Sequence, residues 1–309
     1  MTMTITELSN KWNSISPISK GFLLASDENQ VQSFHIGYSN NMQKCFMVLN
    51  TPKFDNLVSS KAIQVDCVKL LNNSYALRFT LNHPSLDDIF IKLCWDLIEC
   101  SKGTENPSEK ILIQYDMWLR LLKKINNELL SPSVQNGLVG ELLYLSSSID
   151  LYGDDTAITA WTGPDGSDQD FDFEDHWSEI KAVSISADSV KISSLQQLDR
   201  EDIGFLTVYF MDKTTSKGSQ TISLTELVES LRNKISSPKA LDMFNCKLTK
   251  IGYLDSDSDK YQDIRYRLSE ERTYEVCSKF PRLTRNNVPI EITSSEYHIN
   301  LAMINSFKV

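Results

Sequence analysis

The sequence predicts a mixed α/β protein, and three observations support this fold class. Apolar and polar residues alternate with a period of two in several segments of the first 82 residues, which is typical of strands. Between residues 84 and 145, apolar residues instead recur every three or four positions, as on one face of a helix. Residues 204–212 form an apolar run, as expected of a central strand that is covered on both faces.

The N-terminal third is predicted to contain strands followed by helices. The best strand candidates are 44–50, 62–70 and 74–82. A first helix begins at Pro84, and a second helix covers about 109–126. The segment between these helices, 101–107, contains Gly and Pro and is the best candidate for a linker.

Helix-start signals recur in the rest of the chain. Ser131 is suited to cap a helix that begins at Pro132. Ser223 and Glu226 form a capping box, and Pro238 begins a further helix. The last sixty residues return to short strands. These patterns predict a β-rich N-terminal domain, a core domain and an α+β C-terminal extension packed on the core, at 1–104, 105–212 and 213–309.

Carboxylates alternate with aromatic residues in the middle of the chain. Asp170, Asp172 and Glu174 are predicted to share one face of a strand, with Phe171 and Phe173 on the other face. A second strand is expected at 178–186, and it carries Glu179 and Lys181 on a common face.

Pairing of these two strands would bring the charged residues together. If Asp175 and His176 form the turn, Asp172 lies opposite Glu179 and Asp170 lies opposite Lys181. A hard cation could then bridge Asp170 and Glu179, with Lys181 beside it. The competing interpretation is a solvated hairpin with ordinary salt bridges.

The net charge of −10 is concentrated around this hairpin. Residues 141–181 hold eleven acidic side chains and one basic one, Lys181, whereas the rest of the chain holds thirty of each. A carboxylate cluster repels phosphate unless cations neutralise it, so the distribution favours a divalent-metal site. An acidic surface loop explains the aspartates at 150–155 equally well, but not the alternation at 168–174.

Glu141 is predicted to lie on an apolar helix face, among Val134, Leu138 and Leu145. A carboxylate in such surroundings is costly unless it is paired or binds a metal ion. Gly137 and Gly140 lower helix propensity, so we expect both to allow a close approach of this helix to another element. The alternative is that Glu141 is an ordinary surface residue.

Several other classes of protein are disfavoured. The chain has no phosphate-binding loop with its lysine, no G-x-S-x-G motif and only four histidines. Its six cysteines form no C-x-x-C pair and are expected to be reduced, which makes a zinc site improbable. No basic and apolar leader and no membrane-length apolar run are present, so we expect a cytoplasmic protein without membrane contact.

Basic and aromatic residues are interleaved near the C-terminus. Four arginines of this stretch are candidate DNA contacts: Arg265, Arg267, Arg272 and Arg282. The competing interpretation is that they are solvated arginines on ordinary strands.

The order of these motifs resembles a prokaryotic family of PD-(D/E)XK motif proteins over most of the chain. The motifs that carry the resemblance are Gly137-Leu-Val-Gly-Glu, Trp161-x-Gly-Pro, Gln169-Asp-Phe, Glu179-Ile-Lys-Ala and Ile192-Ser-Ser-x-x-Gln-Leu. The resemblance implies a restriction-endonuclease-like core, with a mixed central sheet flanked by helices, at 105–212.

The resemblance also implies roles for individual residues. Asp170, Glu179 and the carbonyl of Ile180 would bind the metal ion, and Lys181 would orient or activate the attacking water. Glu141 would be a further catalytic and metal-binding carboxylate, and Gln197 an accessory polar residue. No proline precedes Asp170, which departs from the motif, so Asp168 or Asp172 could be the metal ligand instead.

The function expected from these observations is a Mg²⁺-dependent DNA endonuclease, with Mn²⁺ as a substitute, in a prokaryotic restriction-modification or antiviral defence system. The alternative is a non-catalytic or weakly catalytic nuclease-fold subunit used for assembly or nucleic-acid sensing. RNA is an alternative substrate. Protein partners of a defence complex are expected, and a homodimer is a further candidate assembly.

Overall fold

The computed structural model describes residues 3–18, 22–26, 32–124, 129–218 and 220–309. The chain divides into two compact units, Met1–Glu128 with Thr249–Gly252, and Leu129–Leu248 with Tyr253–Val309. The sequence predicts three domains, with boundaries at 104/105 and 212/213. That division stays a prediction.

The first unit contains an antiparallel five-stranded sheet and three helices among its described residues. The strands are β1 Phe22–Ser26, β2 Phe34–Tyr38, β3 Lys44–Thr51, β4 Ile63–Lys69 and β5 Tyr75–Leu81, in the order β1-β2-β3-β5-β4. The helices are α1 Ile5–Asn13, α2 Asp87–Cys100 and α3 Pro107–Lys124. The predictions at 44–50, 62–70 and 74–82 are confirmed, as are the two helices around 101–107. Helix α1 was not predicted, although Thr4 and Glu7 form the capping box that begins it.

The second unit carries the predicted hairpin and the helix with Glu141. Its helices are α4 Pro132–Tyr152, α5 Asp154–Ala160, α6 Leu224–Lys234 and α7 Pro238–Ile251. Its strands are β6 Phe171–Asp172, β7 Trp177–Val183, β8 Ser189–Ile192, β9 Gly204–Thr214, β10 Ile222–Ser223, β11 Arg265–Glu275 and β12 Tyr297–Asn300. The side chain of Ser131 caps α4, and Ser223 and Glu226 form the capping box of α6, so both predicted helix starts are confirmed.

The main sheet of the second unit is mixed, as predicted. Its order is β10-β11-β9-β7-β6, and β8 pairs with β12 in a separate two-stranded sheet. Strand β7 runs parallel to β9, whereas β6 and β11 are antiparallel to their neighbours. Strand β9 is buried along most of its length, which confirms the central strand expected at 204–212.

The two faces of this sheet are covered differently. Helix α4 packs on the face that presents Ile180 and Ala182, and a Cβ added to Gly140 would lie 3.2 Å from the Cβ of Ala182. The opposite face belongs to an apolar cluster that includes Trp177, Leu206 and residues of β8 and β12. The mixed α/β class is therefore correct.

Two predictions for α4 are wrong: Gly137 does not permit a close approach to another element, and Val134 does not lie on the buried face. A Cβ on Gly137 would meet no atom within 4 Å, so only Gly140 permits the close approach to β7. Val134 is 44% exposed, whereas Leu138 and Leu145 are buried. Val134 lies in the first turn of the helix, before α4 reaches the sheet.

The hairpin turn lies one residue before the predicted turn. The pairing of the two strands is therefore shifted by two residues from the predicted pairing. The amide of Phe173 donates to the carbonyl of His176 at 2.8 Å, so Glu174 and Asp175 form the turn. Asp172 consequently pairs with Trp177 and not with Glu179. The physical reason is His176, whose ring stacks on Phe173 with centroids 4.6 Å apart and is buried. Strand β7 also ends at Val183, before the predicted residue 186.

Two general expectations can be compared with the structure. All six cysteines are free thiols. None of the helices in the described ranges combines the length and the apolarity that a bilayer-spanning helix requires.

The contact between Gly204 and Trp177 gives a stability prediction. A Cβ on Gly204 would lie 2.1 Å from Cε2 of Trp177, which is fully buried. Gly204→Ala should therefore lower the free energy of unfolding by about 1–3 kcal/mol through overpacking. Gly137→Ala is the control, because its Cβ meets open space and the helix should gain about 1 kcal/mol. Urea unfolding of both variants tests this, and a parent-like Gly204→Ala would contradict it.

Candidate active site

Four elements of the second unit bring the predicted polar residues together. Glu141 lies in the middle of α4, Asp170 directly precedes β6, and β7 supplies both Glu179 and Lys181. Gln197 lies in a 3₁₀ turn, Gln196–Leu198, between β8 and β9. We call Glu141, Asp170, Glu179, Lys181 and Gln197 the carboxylate–lysine site.

The centre of this site is an ion pair on β7. Nζ of Lys181 donates to Oε1 of Glu179 at 2.6 Å, as the shared strand face predicted. Glu179 is 0% exposed, and its second oxygen, Oε2, has no hydrogen-bond partner among the described residues. A fully buried carboxylate oxygen without a donor is unfavourable, so this position is suited to an additional positive group.

Gln197 holds the lysine from the other side. Its Oε1 accepts from Nζ of Lys181 at 3.2 Å and from the amide of Ser193 at 2.8 Å. The buried amide of Gln169 donates from Nε2 to the carbonyl of Gln196 at 2.7 Å, which ties the segment before β6 to this turn. The ammonium of Lys181 is therefore fixed between two oxygens from different elements.

Asp170 is connected to β7 through the backbone. Its Oδ2 accepts from the amide of Ile180 at 2.8 Å. Strand β6 begins only at Phe171, so the Asp170 side chain takes the place that a further strand residue would occupy beside β7. The predicted opposition of Asp170 to Lys181 is thus replaced by a direct contact with Ile180.

The carbonyl of Ile180 faces the same edge as Asp170. The amide of Trp177 donates toward β9, to Ile203, and successive strand residues point their backbone groups to opposite edges. Ile180 therefore directs its amide and its carbonyl away from β9. The Ala182 carbonyl follows the same pattern, because it accepts from Nδ2 of Asn136 in α4 at 2.8 Å.

Glu141 lies beside Asp170. A Cβ added to Gly163 would lie 3.2 Å from Oδ1 of Asp170 and 3.5 Å from Oε2 of Glu141. The two carboxylates thus approach one another across this glycine. Oε2 of Glu141 also accepts from the indole Nε1 of Trp161 at 2.8 Å.

Burial raises the pKa of all three carboxyl groups, and the charge of Asp170 adds to the shift at Glu141 and at Glu179. Burial first, and then the charge of Asp170, raise the pKa of Glu141 to about 8. The same two causes raise the pKa of Glu179 well above its usual value. Burial also raises the pKa of Asp170, although Lys181 and the Ile180 amide oppose that shift. When all three carboxyl groups are ionised, one ammonium does not balance their charge, so their ionisation favours the binding of a further cation.

The other two aspartates that could replace Asp170 lie elsewhere. Asp168 is exposed, and Asp172 is exposed and pairs with Arg200 at 2.7 Å. Of these three, Asp170 is the aspartate whose side chain accepts a hydrogen bond from the backbone of β7. Which of them binds a metal ion stays a prediction.

The four candidate DNA-binding arginines all have partners within the chain. Arg265 is buried and makes a bidentate ion pair with Glu226. Arg267 donates to the carboxylate of Asp212, and Arg272 donates to the carboxylate of Glu270. Arg282 donates to the carbonyls of Leu198 and Arg200. Their role as DNA contacts stays a prediction.

The donor atoms of the site suit a hard divalent cation. Within the described ranges, no three His, Cys, Asp or Glu side chains form a ready metal-binding cluster. Mg²⁺ does not require one, because it commonly binds one or two carboxylates and retains several waters. Asp170, Glu179 and the Ile180 carbonyl supply oxygen donors, and Oε2 of Glu179 has no other partner. These residues therefore fit the expected metal ion.

Sequence reasoning gave no structural role to three residues that support the site. Trp161 contacts Glu141, Gly163 separates two carboxylates, and Lys247 donates to the carbonyls of Ile158 and Trp161. The Trp161-x-Gly163 pair was visible in the motif order. Nothing local to Lys247 reveals that its ammonium is buried.

The comparison with known families identifies the family of this chain. Residues 8–302 match the family described as "Putative PD-(D/E)XK family member, (DUF4420)", and the chain belongs to this family. The predicted family resemblance is thus confirmed. No curated protein and no solved structure gave a match.

The raised pKa of Glu141 predicts how the stability of the metal-free protein depends on pH. The folded state keeps this group protonated up to about pH 8, whereas in the unfolded chain it ionises near its ordinary pKa of about 4.3. The protonated group therefore contributes its full stabilisation below its pKa in the unfolded chain, and this contribution is lost as the pH rises toward about 8. Over that range the free energy of unfolding falls by at most about 1.4 kcal/mol per pH unit.

Urea unfolding in EDTA across this range tests the prediction. Glu141→Gln should flatten the decline between pH 5 and about 8, because the amide does not ionise. Glu174→Gln removes an exposed carboxylate from the nearby turn and should follow the parent profile. Parallel profiles for the parent and Glu141→Gln would contradict the burial of this charge.

Proposed function

We propose that this chain is a divalent-metal-dependent endonuclease that hydrolyses phosphodiester bonds of DNA. The observation that carries the proposal is the convergence of Asp170, Glu179 and Lys181 at one edge of β7, with Glu141 beside them. The family membership supports a nuclease-like protein. DNA as the substrate, the metal requirement and the biological setting are the parts that we propose.

Asp170, Glu179 and the Ile180 carbonyl would hold Mg²⁺, or Mn²⁺ in its place. When bound, the ion would neutralise the scissile phosphate and favour formation of a nucleophilic hydroxide from water. Glu141 would add a further negative charge next to the ion. It would contact the ion either directly or through a coordinated water.

Lys181 would act next to the reacting phosphate. Glu179 and Gln197 account for two of the three N–H donors of its ammonium, which leaves one direction for a water or a phosphate oxygen. A fixed positive charge at this position orients the attacking water and stabilises the negative charge that develops in the transition state.

Two candidate arginines share the sheet face of this lysine. Lys181 is in register with Val208 on β9, and Val208 is in register with Arg272 on β11. Arg267 pairs with Asp212, which lies on the same face of β9 as Val208. Adjacent strands lie about 4.8 Å apart, so Arg272 is roughly 10 Å across the sheet from Lys181. This spacing would allow contact with a neighbouring phosphate.

We place this activity in a prokaryotic restriction or antiviral defence system, with partner proteins, in the cytoplasm. The support is the family resemblance stated above. A homodimer would supply a second site for cleavage of the opposite strand.

The competing function is a non-catalytic subunit that uses the same fold for assembly or nucleic-acid sensing. The observation that favours it is the short contact between Glu179 and Lys181. In that pair the lysine already neutralises a carboxylate that a metal ion would use. Metal binding together with metal-dependent plasmid cleavage distinguishes the nuclease from the non-catalytic subunit.

The first functional prediction concerns the three central residues. Asp170→Ala, Glu179→Ala and Lys181→Ala should each reduce Mg²⁺-dependent plasmid cleavage by at least about 100-fold, because each removes a charge that acts at the phosphate. The measurement is nicking and linearisation of plasmid with Mg²⁺, with Mn²⁺ and with EDTA, alongside an RNA substrate.

Asp168→Ala and Asp172→Ala are the matched controls, because both are exposed carboxylates from the same segment. They should cleave like the parent. A parent-like rate for Glu179→Ala or Lys181→Ala would show that the site is elsewhere. An active Asp170→Ala with an inactive control would show that only the choice of aspartate is wrong.

The second functional prediction concerns phosphate contacts. Replacing Arg267 and Arg272 together by Gln should lower the slope of log affinity against log salt by about 1.8, since each lost contact contributes about 0.9. Arg120→Gln is the control, because Arg120 is an exposed arginine that also pairs with a carboxylate, Asp116. Binding of a catalytically inactive background to duplex DNA at several salt concentrations measures the slope. An unchanged slope would exclude these arginines.

A further inference from the structure

Trp161 makes a contact that its hydrophobicity does not require. Its ring is fully buried, and Nε1 donates to Oε2 of Glu141 at 2.8 Å. A buried indole needs an acceptor, but a backbone carbonyl would serve, as it does for Trp12 and Trp95. Here the acceptor is a carboxylate of the candidate site, so the ring and the site are directly coupled.

The position of Trp161 is itself fixed by α7. Its ring packs against Phe244 with centroids 5.9 Å apart, and its carbonyl accepts from Nζ of Lys247. Lys247 is 4% exposed, donates also to the carbonyl of Ile158 at 2.9 Å, and pairs with Asp165 at 3.1 Å. A buried ammonium with oxygen partners before and after residue 161 holds the backbone on both sides of Trp161 in place.

The following segment returns the chain to the site. The amides of Thr162 and Gly163 both donate to the carbonyl of Asp170, at 2.9 and 3.0 Å. Trp161 and Phe171 form an isolated bridge. Trp161 and Asp170 thus lie at the two ends of a loop, and these contacts hold the two ends together.

We propose that Trp161 is a positioning residue that holds Glu141 toward the metal-binding edge of β7. The indole N–H engages Oε2, the oxygen that lies toward Asp170 across Gly163, and so fixes the rotation of the Glu141 side chain beside the proposed metal ligands. Donors of this kind commonly change metal affinity when they are removed. The inference rests on the proposed function, because it concerns the same metal ion.

The test is titration calorimetry of Mn²⁺ with the full chain. Trp161→Phe should weaken Mn²⁺ binding by about 10-fold. Trp118→Phe is the matched control, because Trp118 is equally buried and donates at the same distance, 2.8 Å, to the carboxylate of Asp96, within the first unit. It should lose stability but bind Mn²⁺ like the parent.

A double-mutant cycle separates positioning from general packing. In a Glu141→Gln background, Trp161→Phe should cause no further loss of Mn²⁺ affinity. An equal loss in both backgrounds, or parent-like binding by Trp161→Phe, would overturn the assignment. If Trp161→Phe does not fold, replacement by benzothienylalanine, which keeps the ring shape without the N–H, makes the same comparison.

The outcomes for the inference and for the proposed function are distinguishable. A parent protein that binds Mn²⁺ and shows the cycle, but cleaves no DNA, would retain the role of Trp161 and reject the nuclease reaction. A parent protein that binds no Mn²⁺ would reject both.

Discussion

The second unit is organised around a charge imbalance, because three carboxylates share a largely buried space with one ammonium. Glu141, Asp170 and Glu179 each lose hydration on folding, and Lys181 offsets part of that cost. The remaining compensation comes from neutral donors, the indole of Trp161 and the amide of Ile180. Buried charge is tolerated when each carboxylate has a directed partner. The exception is Oε2 of Glu179, which has no hydrogen-bond partner among the described residues and therefore supports the proposed binding of a metal ion.

Strand β6 illustrates how secondary structure serves this arrangement. It has only two residues, so the edge of β7 is left open beside Ile180. A longer strand would pair with that edge and fill it with backbone. Instead, one side chain, Asp170, completes the local hydrogen bonding and presents a carboxylate at the same time. Gly140 makes the other side possible, since helix α4 can lie directly on β7.

Local patterns predicted most of the elements, and non-local contacts explain most of the errors. The capping box at Ser223 and the apolar run of β9 depend on neighbours in sequence and were correctly identified. The cost of burying a carboxylate singled out Glu141, but its contact with Trp161 and its place beside Asp170 depend on the fold. The hairpin register was wrong because stacking of His176 on Phe173 moved the turn, which charge alternation cannot reveal. The buried ammonium of Lys247 comes from α7, far along the chain, and has no local signature.

The burial of Lys247 has a consequence for biosynthesis. Because the ribosome synthesises a chain from its N-terminus, Lys247 is added after every carboxylate of the site and after β9. Until α7 arrives, the carbonyls of Ile158 and Trp161 lack the ammonium that holds them, and Trp161 lacks the ring of Phe244. A nascent chain that ends shortly after β9 therefore contains the complete signature without its scaffold. Completion of the carboxylate–lysine site and its supports therefore depends on the synthesis of α7.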